Sequence, residues 1–289
     1  MVRRTPPRPV AVEEYLPELG SLRREAVRLH PRPGSPSCHE SSVGGPLLWP
    51  VEEPWPVCDG EPERGVHEPG TPFVPVVQVR REDAPGIPFP PGCDLLQVLW
   101  CPFEHGEWCC PLPLVRWRDS AAVTAVREAP PPPADALEDH VPHPCVVHPE
   151  RVTEYPSWDI PKNLRDVLRD RMEAMERSSG FLFHYHLADA PGIKLGGYPG
   201  WTQDPVWPDC PDCGRRMDHL LTVASREYDG ESIRTWLPVE DRREVDGRQR
   251  ASEEASTGAG MMLGDVGGVY IFECRTCPAR PTSHWFDCS

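Results

Sequence analysis

Four cysteines in the second half of the chain fall into two motifs, Cys210-Pro-Asp-Cys213-Gly214 and Cys274-Arg-Thr-Cys277. A CxxC turn presents two thiolates on one side of a tight loop, at a separation suited to two corners of a tetrahedron. Two such turns complete the four-sulfur shell that zinc favours. In the first turn proline presets φ, and Gly214 tolerates a positive φ just beyond the second ligand, which lets backbone amides face the sulfurs. The second turn lacks that glycine and has Pro278 instead. A redox dithiol is the rival reading, but such a pair opens a helix in a thioredoxin-like unit. Here one pair follows a Trp-Pro loop and the other follows a run that reads as a strand. The spacing predicts one structural zinc ion held by Cys210, Cys213, Cys274 and Cys277, with no open coordination position for catalysis.

Other chemistry-bearing side chains are less ordered in sequence. His140, His143 and His148 lie near Cys145, and His184 and His186 alternate. In a strand the last two would point to one face and could ligate a metal, although an ordinary strand reading is favoured. A hydrolase or transferase built around His184 and His186 is the alternative function. No GxSxG, Walker loop, HExxH or dinucleotide fingerprint is present, so no catalytic residue is assigned.

Residues 43–58, VGGPLLWPVEEPWPVC, and 195–210, LGGYPGWTQDPVWPDC, share Gly-Gly, two Trp, Pro and Cys without a gap at an offset of 152 residues. Tryptophan and cysteine are rare, so the match predicts an internal duplication. It extends to Val77-Gln78-Val79 with Leu221-Thr222-Val223, and to Leu96–Cys101 with Val269–Cys274. All four tryptophans, Trp49, Trp55, Trp201 and Trp207, are expected to be largely buried. The Gly-Gly pairs are expected to make room for a backbone crossing. In the first copy the four ligand positions read Cys58, Glu61, Cys101 and Glu104, so half the ligands are missing. His105, Cys109 and Cys110 are the available substitutes, but a decayed site packed by apolar neighbours is the favoured reading.

The elements that must carry these residues are short. The chain has 289 residues, 39 of them proline, and Pro plus Gly amounts to 62, which is below the level of a wholly disordered chain. The pattern predicts an α+β fold, mainly antiparallel β, with two duplicated and interlocking repeats and a zinc-ribbon-like site in the second. Residues 1–19 read as a disordered tail and a short helix over Val12–Leu19, and residues 20–126 as the first repeat. Residues 127–144 read as a proline-rich connector, and 145–289 as the second repeat. Strands are expected at Ala26–Leu29, Val74–Val79, Asp94–Cys101 and Leu112–Trp117. One helix is expected from Pro161 to about Arg177, with Leu164, Val167, Leu168, Met172 and Met175 on one face. The polar stretch from Glu240 to Gly260 has little to bury and is expected to be mobile. Cys38, Cys93, Cys145 and Cys288 read as small buried hydrophobes.

The formal charge of −15 disfavours binding to phosphate backbones and would steer basic partners inward. Arg215, Arg216 and Arg275 beside the predicted zinc site do not reverse that balance. No apolar run approaches the ~20 residues of a membrane span. The N-terminal MVRRTPPRPV has arginines but no hydrophobic region after them, so a cytoplasmic setting with reduced thiols is expected.

Through SSVGG with Trp49-Pro50, Val77-Gln78-Val79, DLLQV, KLGGYPGW, HLLTV and GGVYIF in order, residues 20–289 resemble the YwqG-like family, a bacterial domain of unknown function. The resemblance implies a duplicated α+β fold whose halves interlock. The second half is more weakly similar to the C-terminal domain of the programmed-cell-death-2 group, which is linked to chaperoning a ribosomal protein. Neither resemblance supplies a catalytic residue. The reading is of a cytosolic, zinc-stabilised module that binds a basic protein partner, as a chaperone or by neutralising a toxin.

Overall fold

The structure, a computed structural model, describes residues 2–60, 67–106, 109–245 and 248–288. Proline and glycine cut the first half into β1 (Arg24–Arg28), β2 (Arg32–Pro33), β3 (Ser42–Val43), β4 (Val57–Cys58), β5 (Thr71–Pro72), β6 (Val74–Arg80), β7 (Leu95–His105) and β8 (Cys110–Arg118). The second half has β9 (Cys145–Val146), β10 (Glu150–Glu154), β11 (Lys194–Gly196), β12 (Asp218–Ala224), β13 (Arg243–Val245), β14 (Arg248–Arg250), β15 (Gly268–Glu273) and β16 (Thr282–Asp287). The helices are α1 (Val12–Tyr15), α2 (Lys162–Ser179), α3 (Ile233–Trp236) and α4 (Glu253–Thr257). The fold is α+β and mainly antiparallel.

Twelve of the described strands form two six-stranded sheets, ordered β2-β9-β3-β6-β7-β8 and β10-β1-β11-β12-β15-β16. Each sheet borrows one strand from the other half of the chain. β1 lies between β10 and β11, with Ala26 opposite both Val152 and Gly196. β9 lies between β2 and β3, with Cys145 opposite Pro33 and Val43. The connector at residues 127–144 therefore separates stretches of sequence whose strands share both sheets.

The glycine pairs sit where the borrowed strands pass. A Cβ on Gly44 would lie 2.4 Å from the carbonyl oxygen of His143, just before β9. A Cβ on Gly197 would lie 2.8 Å from Ala26 Cβ in β1, and closer still to the Glu154 carboxylate. Both positions have positive φ, +75° and +63°, so only glycine supplies both the conformation and the space.

One hydrophobic cluster joins the two sheets, taking Val27, Val43, Val77, Leu96, Val98 and Trp100 together with Leu195, Leu221, Val223, Val269 and Ile271. Strand parity then fixes the opposite faces. In β7, Leu99, Cys101 and Phe103 alternate away from this core into a second cluster with Trp49 and Cys58. In β15, Tyr270 and Phe272 alternate away from it into a cluster with Trp201, Cys210 and Cys274. Trp49 and Trp201 are buried, whereas Trp55 and Trp207 are half-buried rims of these clusters.

Helix α2 ends at Gly180, whose backbone is left-handed and whose N–H bonds the Glu176 carbonyl. Leu164, Leu168, Met172 and Met175 form its packed stripe. Val167, expected on that face, is 65 % exposed, because its position lies off the edge of a stripe spaced by four and three residues. Three further expectations are corrected. Residues 2–9 are tied down rather than loose: the Thr5 N–H donates to Glu150 at 2.6 Å, and Arg8 donates to the Thr153 carbonyl at 2.8 Å along the outer strand β10. The stretch after Glu240 contains β13, β14 and α4; α4 is capped by Ser252 and buries Ala255, and Ala259 just beyond it is buried too. Of the four scattered cysteines only Cys145 is fully buried; Cys38 and Cys93 are intermediate and Cys288 is exposed.

The borrowed strands predict that fragments 1–126 and 127–289, made separately, lack tertiary order, because each sheet then loses an interior strand. Mixing them should restore near-UV circular dichroism and amide NMR dispersion.

Candidate metal centre

The first cysteine turn is built by a closed set of backbone bonds. Cys210 N–H donates to the Arg215 carbonyl at 2.8 Å, Gly214 N–H to Cys210 at 2.9 Å, and Met217 N–H to Pro208 at 2.9 Å. Gly214 has φ +66°, as the turn requires. The second turn follows β15. Cys274 N–H donates to Pro281 at 2.9 Å, and Arg280 N–H to Cys277 at 2.9 Å, with Arg280 itself taking the left-handed conformation. Glu273, fully buried, holds Arg280 through contacts at 2.6 and 2.9 Å, which anchors that strained residue without a glycine.

These turns bring Cys210, Cys213, Cys274 and Cys277 together, with all four sulfurs within 4.8 Å of one another. Cys210 Sγ lies 3.8 Å from Cys277 Sγ, and Cys213 Sγ 3.7 Å from Cys274 Sγ. A tetrahedral shell with metal–sulfur bonds of about 2.3 Å has sulfur–sulfur edges of about 3.8 Å. The separations fit a shared ion and are far longer than the ~2.05 Å of a disulfide. The electrostatics agree. Cys274 is lowered to about 7, first because the Cys277 backbone N–H points at its sulfur. Cys277 is raised, first by its hydrogen bond with Cys213, and Cys210 is raised, first by burial. Four thiols this close cannot all ionise unless a cation joins them.

Around the cluster, Trp207 lies beside Phe272 at 5.3 Å between ring centroids, and the Arg216 guanidinium sits 3.8 Å above the Trp207 ring. The indole N–H groups of Trp201 and Trp207 both donate to Asp159. Asp159, raised by its burial, is a positioning residue that no local motif marks. Arg275 is paired with Glu273 at 2.9 Å, so its charge is spent within the fold.

His184 and His186 are not brought together. Phe183–Leu187 is a π-helical turn rather than a strand, so the alternation that would align the two rings is absent. His184 lines a cleft of about 350 Å³ and contacts Ser157. His186 faces a different cavity, accepts a hydrogen bond from the Leu182 N–H and lies 3.3 Å from Glu231. Of the other candidates, His140 is buried with Nδ1 3.1 Å from the Pro102 carbonyl oxygen, and His148 is lowered to about 4, first by burial.

The cleft that His184 lines has a floor the sequence did not announce. Tyr185, Trp201, Tyr228 and Tyr270 contribute to its walls, and Asp189 lies among them. Lys194 and Glu154 are both fully buried and meet at 2.7 Å. Glu154 also accepts N–H groups of Ala190 and Tyr198, at 2.9 and 2.8 Å. A Cβ on Gly200 would sit 3.2 Å from Asp189 Oδ2 and 3.8 Å from Lys194 Nζ, which places this second carboxylate beside the same lysine. The ammonium is engaged by Glu154 and acts on Asp189 only through its field. Asp189 Oδ1 is buried without a hydrogen-bond partner, and burial outweighs the pull of Lys194, raising Asp189 to about 7.

No protein-family model matches the chain, and no curated protein matches it. No helix among the described residues is long and apolar enough to cross a membrane.

Two outcomes follow from this geometry. Cys210→Ser or Cys274→Ser should remove about one metal ion per chain by elemental analysis and lower the melting temperature, because a structural site contributes folding free energy directly. For Asp189 the raised pKa means that the folded chain holds a proton that the unfolded chain has released. Its contribution to stability is therefore present below pH ~4 and lost as pH rises toward 7. Asp189→Asn should be more stable than wild type at pH 8, by on the order of 1–3 kcal/mol, with the gain shrinking toward pH 4 in denaturant titrations.

Proposed function

We propose that the chain is a cytosolic module, stabilised by zinc at Cys210, Cys213, Cys274 and Cys277, that binds a protein partner through a basic side chain. Zinc is the ion favoured by four thiolates in a tetrahedron, and a shell closed by four sulfurs suits a structural role. The matching strand orders of the two sheets, with the glycine pairs at corresponding crossings, support the inference that the halves are interlocked copies, as the resemblance to the YwqG-like family implies.

The observation that carries the binding reading is Asp189, which lines the aromatic cleft and whose Oδ1 has no hydrogen-bond partner. An arginine or lysine entering there would supply the cation that Lys194 cannot share, between tyrosine and tryptophan walls suited to it. The overall charge of −15 supports the same sign of partner and would speed the encounter. Tyr185 and Val266, 41 % and 40 % exposed, offer apolar contact at the cleft's edge.

Titration of tryptophan fluorescence with short arginine- or lysine-containing peptides tests this reading. Binding should strengthen between pH 6 and pH 8 as Asp189 loses its proton. Asp189→Asn should weaken it about tenfold or more and abolish the pH dependence. Equal binding by wild type and variant at both pH values would contradict the proposal.

A further inference from the structure

The first half carries its own ligand cluster, and it differs from the one its sequence spacing suggests. Of the positions corresponding to the zinc ligands, Glu61 lies outside the described residues and Glu104 is exposed. Cys109, one of the expected substitutes, is exposed as well. Two histidines occupy the remaining corners. His67, which precedes β5, and His105, at the end of β7, meet Cys58 and Cys101 with all four ligand atoms within 4.8 Å of one another.

The distances fit a mixed shell. Cys101 Sγ lies 3.2 Å from His67 Nε2, and Cys58 Sγ lies 3.8 Å from His105 Nε2. A tetrahedral ion with bonds of about 2.3 Å to sulfur and 2.0–2.1 Å to nitrogen has sulfur–nitrogen edges of about 3.5 Å. The His67 tautomer is also set for ligation. Nδ1 lies 2.8 Å from the Glu68 carbonyl oxygen, so Nδ1 carries the proton and donates it there, leaving the Nε2 lone pair facing the cysteine. The two imidazoles meet edge to face, 5.3 Å between centroids, as rings converging on one point do.

The supporting elements agree with this. Cys101 lies on the face of β7 turned away from the shared core, and a register shift between Cys101 and His105 lets the strand bend there. Cys58 is held by β4, where its carbonyl accepts the Gly70 N–H at 2.9 Å. Cys58, Cys101 and His105 are buried and His67 is half-buried. Phe103 packs on the His67 ring at 4.9 Å.

The geometry points to a second structural metal site, a two-cysteine, two-histidine shell formed by Cys58, His67, Cys101 and His105 that takes a zinc-type divalent ion. It closes the end of the first sheet as the four-cysteine shell closes the end of the second. Four protein ligands leave no open position, so this ion also stabilises rather than catalyses.

Replacement of the bound metal by Co(II) in the full chain tests the inference, with elemental analysis in parallel. Wild type should carry about two ions per chain and show sulfur-to-cobalt charge transfer from about six thiolates, with ligand-field bands of both four-sulfur and mixed shells. Cys210→Ser should leave about one ion with the mixed-shell spectrum, and His67→Ala about one ion with the four-sulfur spectrum. Because His67→Ala also removes the packing of the ring on Phe103, His67→Cys provides the second arm: it should keep about two ions and gain the charge transfer of one more thiolate. Fully loaded wild type with one ion and only the four-sulfur spectrum would overturn the second site, while leaving the first intact. Two ions in His67→Ala with the mixed-shell bands unchanged would also overturn it.

Discussion

The constraint on which the molecule depends is the passage of one short strand from each half into the sheet of the other. β1 must enter between β10 and β11, and β9 between β2 and β3, before either sheet is continuous. That passage sets the need for glycine at Gly44 and Gly197, where a side chain would strike the backbone leading into β9 and Ala26 of β1. It also explains why one apolar cluster serves both sheets: the borrowed strands carry Val27 and Cys145 into it. Closure of such a topology requires contacts far apart in sequence, whose loop entropy must be met before they stabilise anything.

Once the two inner faces are committed to a shared core, strand parity assigns the chemistry to the outer faces. Cys101 and Cys274 end runs in which every second residue points away from that core, so each arrives among aromatic neighbours with a sulfur available. A cluster of thiols in such surroundings is costly without a cation, because burial and mutual repulsion oppose ionisation together. The same economy of charge appears at the cleft. Lys194 is bound to Glu154 in a fully buried pair, and Asp189 is left with an oxygen, Oδ1, that no hydrogen bond satisfies. A buried polar group without a partner is expensive, and natural proteins keep few of them without a use.

Much of this was legible in the chain. Alternating apolar runs between prolines marked β6, β7 and β8, and the paired CxxC turns named the four cysteines that converge. Other features left no local trace. His67 lies nine residues beyond Cys58 and outside any ligand spacing, so only the folded chain reveals it. Asp189 and Glu154 are brought near Lys194 only by the fold, and the spacing of the three in the chain marks no shared site. The π-helical turn at Phe183–Leu187 contains aromatic residues that favour strands, and tertiary packing of Phe183 and Leu187 overrides that preference. From α4 to residue 260 the buried side chains are Ala255 and Ala259, too small for composition to reveal the order there.

Native-state hydrogen exchange followed residue by residue tests the interlocked arrangement most directly. Amides of β1 and β9 should exchange with the same free energy and the same denaturant dependence as those of β7, β12 and β15, because neither sheet can open without releasing a strand of the other. Two distinct opening free energies, with β1 following the first half and β9 the second, would contradict the account.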